Sequence, residues 1–118
     1  MYYIYMVRCA DESIYTGIAA DLGRRLREHA EKSPAAAKYT RSRPVVALEA
    51  LWSSETRSAA CRLEARIKAL SREKKEKLIA SPRLLTACFP DLDWEDYVHH
   101  PEADLTYYLT GQRPRRWL

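Results

Sequence analysis

Cysteine is scarce in this sequence, three in 118 residues, and the three lie far apart at Cys9, Cys61 and Cys88. An odd number with no C-x-x-C pair excludes a disulfide framework and a structural zinc knuckle, and fits a reducing, cytoplasmic setting. Cys9 and Cys61 read instead as small core residues. No apolar run approaches the ~18 residues that a membrane span needs. The N-terminus lacks a basic stretch followed by an apolar one, so no secretory signal is expected and no membrane partner either. Glycine is as scarce as cysteine, and internal repeats and low-complexity tracts are missing. With 47% hydrophobic and 31% charged residues, the chain is neither fibrous nor disordered. What remains is one compact globular unit, long enough to bury a core of its own.

Charge is unevenly distributed. Residues 1–80 carry sixteen Lys and Arg against ten Asp and Glu, whereas residues 81–118 carry four against six. A positive excess confined to the first part suits a polyanionic partner, because each neutralised phosphate releases counterions. A highly charged solvated surface would look the same by this measure alone.

Residues 2–8 are β-branched and aromatic on both alternating faces, the pattern of a strand covered on both sides. Asp11-Glu12-Ser13 is a turn, and Ile14-Tyr15-Thr16-Gly17-Ile18 returns as the second strand of a hairpin. Asp21 is placed to cap a helix running to about Glu31, which Ser33-Pro34 breaks. The stretch to Arg43 has no hydrophobic periodicity and reads as a basic loop. Pro44 opens a third strand, Val45 to Trp52. A long helix from about Glu55 keeps Ala60, Leu63, Ile67 and Leu70 at core spacing, and Ser71 caps a short basic helix ending near Ala80. Pro82 marks a change of composition. Beyond it, Trp94, Tyr97 and Val98 suggest one helical turn or two, and Leu105, Tyr108 and Leu109 another, with Gly111 as its C-cap. Adjacent His99 and His100 read as solvated loop residues. The expectation is an α+β fold with a small three-stranded antiparallel sheet flanked by helices. Residues 1–80 form its domain and 81–118 a helical extension. The aromatics of that extension either cover the core or offer a surface for a second copy or a partner protein.

Three local anomalies carry chemistry. In the first helix Leu22, Leu26 and His29 share one stripe, and Arg25 lies about 60° to its side, while Arg24, Arg27 and Glu28 point away. A guanidinium bordering a buried face needs a partner, either a carboxylate of the protein or an anion from outside. In the hairpin, Tyr5 and Tyr15 share a face only if paired residue numbers have an even sum, which an odd-length turn at Asp11–Ser13 provides. Both could equally be packed strand tyrosines. Gly17 permits close approach of a backbone or a substrate. In the second long helix Glu64 flanks the apolar stripe. It either pairs with Lys68 one turn on or offers a hard oxygen to a divalent cation. Lys38, Tyr39, Thr40, Arg41 and Arg43 interleave charge with a stackable ring, a combination suited to nucleic acid.

Tyr3-Ile4-Tyr5, Ile14-Tyr15-Thr16-Gly17 and Asp21-Leu22-x-x-Arg25-x-x-x-His29 resemble the GIY-YIG nuclease superfamily. Ala37-Lys38-Tyr39-Thr40-Arg41 and Glu64 through Arg72 resemble more specifically its small stand-alone bacterial branch, the UPF0213-like proteins. The resemblance spans about residues 2–79. Tyr3 stands where the motif has glycine, Thr16 where it has isoleucine, and Glu12 where the branch often has a turn glycine. The resemblance implies an endonuclease cleaving phosphodiester bonds in DNA, single-stranded or branched, with one magnesium or manganese ion. By position it makes Tyr5, Tyr15, Arg25 and His29 catalytic, Gly17 a motif residue, and Glu64 the metal ligand. A non-catalytic nucleic-acid-binding module on the same fold is the alternative.

Overall fold

Tyr2–Cys9 forms the central strand, β1, of the computed structural model, which describes residues 1–30 and 44–113. Its alternation places Ile4 and Met6 on one face of the sheet and Tyr5 and Val7 on the other, all four buried. β1 turns into β2, Ile14–Ala19, through Asp11-Glu12-Ser13, where Asp11 Oδ1 accepts from the Ser13 amide and Glu12 adopts φ 68°. A left-handed glutamate costs of order 1 kcal/mol. The odd-length turn it allows sets the register: Tyr5 opposes Gly17 and Val7 opposes Tyr15.

β3, Val45–Ser54, flanks β1 on its other side, with a register shift between Met6 and Val7. The shift lets Leu48 and Leu51 face the same core in spite of their odd spacing. The sheet has four strands, in the order β2-β1-β3-β4, rather than the three expected. The fourth is short, Val98–His99, and pairs with Trp52 and Ser53. It lies where the sequence suggested a helical turn. Asp93 caps only a single 3₁₀ turn, Trp94–Asp96, and Tyr97 then becomes extended at φ −129° and ψ 144°. The histidines are correspondingly not solvated loop residues. The His99 ring lies 5.6 Å from that of Trp52, and His100 Nε2 lies 2.8 Å from the Ser53 hydroxyl.

The helices begin at oxygen-bearing caps. α1, Leu22–Ala30, starts at Asp21; α2, Arg57–Lys68, at Thr56; and α3, Arg72–Ala80, at Ser71. A short α4, Leu84–Cys88, was not apparent in the sequence. α5, Leu105–Thr110, runs from Asp104 to Gly111, whose φ of 76° ends it in the left-handed conformation.

One core lies between the sheet and α2, where Ile4, Met6, Ala50 and Trp52 meet Ala60, Leu63 and Ile67. Leu85, Phe89, Leu92 and Tyr97 complete this core, and the Tyr97 hydroxyl donates to the Ala59 carbonyl at 2.7 Å. The second core holds Tyr5, Val7, Leu22, Leu26, Leu48 and Leu51, with α5 packed beside α1. Aromatic and aliphatic residues beyond Pro82 thus cover both faces of the domain. Cys9 is buried, Cys61 half-buried and Cys88 exposed.

Candidate active site

The even register of the hairpin puts Tyr5 and Tyr15 on the α1 face of the sheet, with ring centroids 6.3 Å apart. Gly17 lies between them. A Cβ added there would sit 2.5 Å from the Tyr5 hydroxyl and 3.1 Å from the Tyr15 ring, so this crossing of rings requires glycine. α1 brings His29 against both tyrosines, at ring centroid distances of 5.9 Å from Tyr5 and 5.6 Å from Tyr15. His29 Nε2 lies 2.9 Å from the Tyr5 hydroxyl, and both residues are at most 1% exposed.

Burial controls the protonation of this pair. Loss of solvent pushes the Tyr5 phenol well above the ordinary tyrosine range. The neighbouring Tyr15 and the charge of Glu64 add to that, against the lowering pull of Arg25. Burial, with the positive charge of Arg25, lowers His29 to about 4, so its ring is neutral at pH 7.

Arg25, one helical turn before His29, is about one-quarter exposed, and its Nη1 donates to Glu28 Oε2 at 2.9 Å. Desolvation works against its charge. Hydrogen bonds to Glu28 and Tyr5 outweigh that and raise its pKa. Glu28 therefore does not turn away from the site as the helical pattern suggested: its side chain folds back on Arg25. The i,i+3 spacing of the two residues was the available signal for this pair.

Glu64 comes from the opposite side of the sheet. β2 is an edge strand, and α2 packs along it, so the flank of the helix reaches past that edge. Lys68, one turn after Glu64, shows the reach: its Nζ is 5.9 Å from the centre of the Tyr15 ring and 3.4 Å from Glu64 Oε2. The Glu64 side chain is about one-fifth exposed. Its donor chemistry fits a magnesium or manganese ion, which takes one or two carboxylates and fills its other positions with water and phosphate oxygens. Among the described residues, no group of three or more His, Cys, Asp and Glu forms a fuller metal cage. Lys38, Tyr39, Thr40, Arg41 and Arg43 lie outside the described residues. Among the described residues, no helix is long and apolar enough to cross a membrane.

An arginine, two phenols and a neutral imidazole thus converge on one face, with a carboxylate reaching past the sheet edge. Such a set can bind a phosphate, accept a proton and hold a hard cation. Comparison with known proteins gives the family. The GIY-YIG catalytic domain matches residues 1–77. A UPF0213 protein of Fusobacterium nucleatum is 48% identical over 81 residues, covering 69% of this chain and 79% of that protein. One from Haloquadratum walsbyi is 48% identical over 77 residues, covering 65% and 84%. The solution NMR structure of a UPF0213 protein from Bacillus halodurans is 41% identical, covering 73% of this chain and 94% of that one at a TM-score of 0.45.

Proposed function

The chain belongs to the GIY-YIG catalytic domain family, a family of nucleases, and from that premise we propose that it is a metal-dependent endonuclease hydrolysing phosphodiester bonds in DNA, single-stranded or branched. The observation that carries this reading is the Tyr5–His29 hydrogen bond beside the Arg25 guanidinium, on the face that Tyr15 shares.

Glu64 would hold the ion, whose chemistry when bound is to polarise the scissile phosphate and stabilise the departing 3′ oxygen. The residues of the chain divide the rest. Arg25, a rigid planar fork, exchanges Glu28 for a non-bridging phosphate oxygen and orients the group for in-line attack. Tyr5 is too basic as a phenolate to persist at neutral pH, so it acts as a relay. Its oxygen accepts the proton of the attacking water while its own proton passes to Nε2 of His29, in the tautomer that carries hydrogen on Nδ1. Moving Arg25 onto a phosphate also offsets the positive charge that depresses His29, which makes the ring a better acceptor when substrate is present. Tyr15 shares this face and helps to align the water.

Purified protein incubated with labelled single-stranded, duplex and branched DNA, with magnesium or manganese or with EDTA, tests the assignment. Cleavage that requires metal and is lost in Glu64→Ala is the expected result. Strand binding without any turnover would favour the non-catalytic module, and undiminished cleavage by Glu64→Ala would remove the metal role from that residue.

A further inference from the structure

We propose that a cleft between the β1–β2 turn and α3, lined by Ser13, Ile14, Arg72 and Lys75, binds a backbone phosphate of the single DNA strand as it leaves the catalytic face. The inference rests on the nuclease reading for the identity of the strand.

The cleft holds about 190 Å³ and lies on the α2 side of the sheet: Ile14 packs toward the core under α2 while the next residue, Tyr15, faces α1, so the cleft and the catalytic face meet across the edge strand β2. Its charge is anomalous. Arg72 and Lys75 are three residues apart on α3 and line the same cleft, so two positive charges are held side by side, which is unfavourable without an anion. Glu76, which pairs with Arg72, is already engaged: both its oxygens take hydrogen bonds from Arg8, and Arg72 reaches it only at 3.9 Å. Lys75 is half-buried and has no ion pair among the described residues. Arg72 is fixed in place by donating to the Glu12 carbonyl at 3.1 Å, which aims it at the hairpin turn. Lys68, above the Tyr15 ring, lies between this cleft and Glu64 along the chain and carries positive charge across the β2 edge to the catalytic face. The Ser13 hydroxyl already donates to the Asp11 carboxylate, so the phosphate cradle is made by the guanidinium held at the turn and an ammonium with no ion pair among the described residues. Ile14 at its base suits the sugar of the same nucleotide.

The test is equilibrium binding of fluorescein-labelled oligothymidylate to the full chain in EDTA, which prevents turnover, followed as a function of salt. Each lost phosphate contact should flatten the log–log salt dependence by about 0.7 for a single strand. Lys75→Gln should do so once and Arg72→Gln/Lys75→Gln about twice. Lys77→Gln, which makes the same charge change at a residue paired with Glu73 at 3.3 Å, should leave the slope in place. Thermal melting of each variant checks that it is folded, and Lys75→Gln removes no side-chain ion pair found among the described residues. Equal effects of Lys75→Gln and Lys77→Gln would mean a diffuse positive field, and no effect at Lys75 would mean no cradle; either overturns the inference. A protein that shows the expected slopes but never cleaves DNA would remove the nuclease reading and leave this one standing.

Discussion

The Tyr5 hydroxyl and Nε2 of His29 lie 2.9 Å apart where solvent barely reaches either group, and each fixes what the other can do. Burial keeps the phenol protonated and the imidazole neutral, so the bond has an O–H donor on one side and an unprotonated ring nitrogen able to accept on the other. Neither group alone is a good base at neutral pH. Coupled, they can accept a proton at one end and store it at the other. Tyr5→Phe and His29→Gln should each reduce single-turnover cleavage by roughly 10²–10⁴. The double variant should lose no more than the worse single one, because the two residues act as one relay. Multiplied losses would show two independent contributions.

The same burial makes folding sensitive to mild acid. The folded His29 has a pKa of about 4, below the unfolded value of about 6.5, so on acidification the unfolded chain takes up a proton that the folded chain refuses. Stability is therefore fully present above about pH 6.5 and falls as pH drops toward 4, by up to about 1.4 kcal/mol per pH unit on this residue's account. His99 and His100 are also lowered by burial and act in the same direction. Chemical denaturation at several pH values should show the decline, and His29→Gln should make it shallower. An unchanged slope in that variant would assign the effect to the other two histidines.

Gly17 is where sequence economy meets geometry. A methyl group at this position would overlap the Tyr5 hydroxyl at 2.5 Å and its ring carbon at 2.7 Å, and Tyr5 is held on its far side by His29. Gly17→Ala should therefore destabilise the fold by about 1–3 kcal/mol, the usual range for overpacking, and displace the relay. Thermal unfolding reads the first effect. Cleavage reads the second, with a loss larger than the remaining folded fraction accounts for.

Local patterns foretold the elements whose partners are close in sequence. The hairpin register follows from the parity of its turn, and Asp21, Ser71 and Gly111 mark helix ends by their own side-chain or backbone chemistry. β4 escaped because nothing within Val98–His99 signals a strand: it exists through pairing with Trp52 and Ser53, some forty-five residues away. In the site, Arg25 and His29 stood out because they border a buried helical face, and Tyr5 and Tyr15 because they can share a sheet face. Glu28 did not, since the helical wheel describes where a Cβ points and not where a long side chain returns. Nor could a wheel reveal that the flank of α2 passes the edge of β2, which is what brings Lys68 over Tyr15.

That passage around the edge has a consequence for the metal. Lys68 Nζ rests 3.4 Å from the Glu64 carboxylate, so a divalent cation must compete with an ammonium for the same oxygens. Half of the Lys68 side chain is exposed, and a pair of this kind contributes about 0–1 kcal/mol. Its removal should therefore tighten metal binding by no more than about fivefold, given that 1.4 kcal/mol corresponds to a factor of ten. Calorimetric titration of manganese should show that modest gain in Lys68→Met and the loss of the site in Glu64→Gln, with both variants melting close to the parent. DNA cleavage by Lys68→Met should nevertheless fall rather than rise, because in the parent the ammonium that the metal displaces from Glu64 becomes available to the substrate phosphate beside Tyr15, and the variant has none. A variant that bound manganese more tightly and also cut faster would show that Lys68 only obstructs the metal and takes no part in holding the strand.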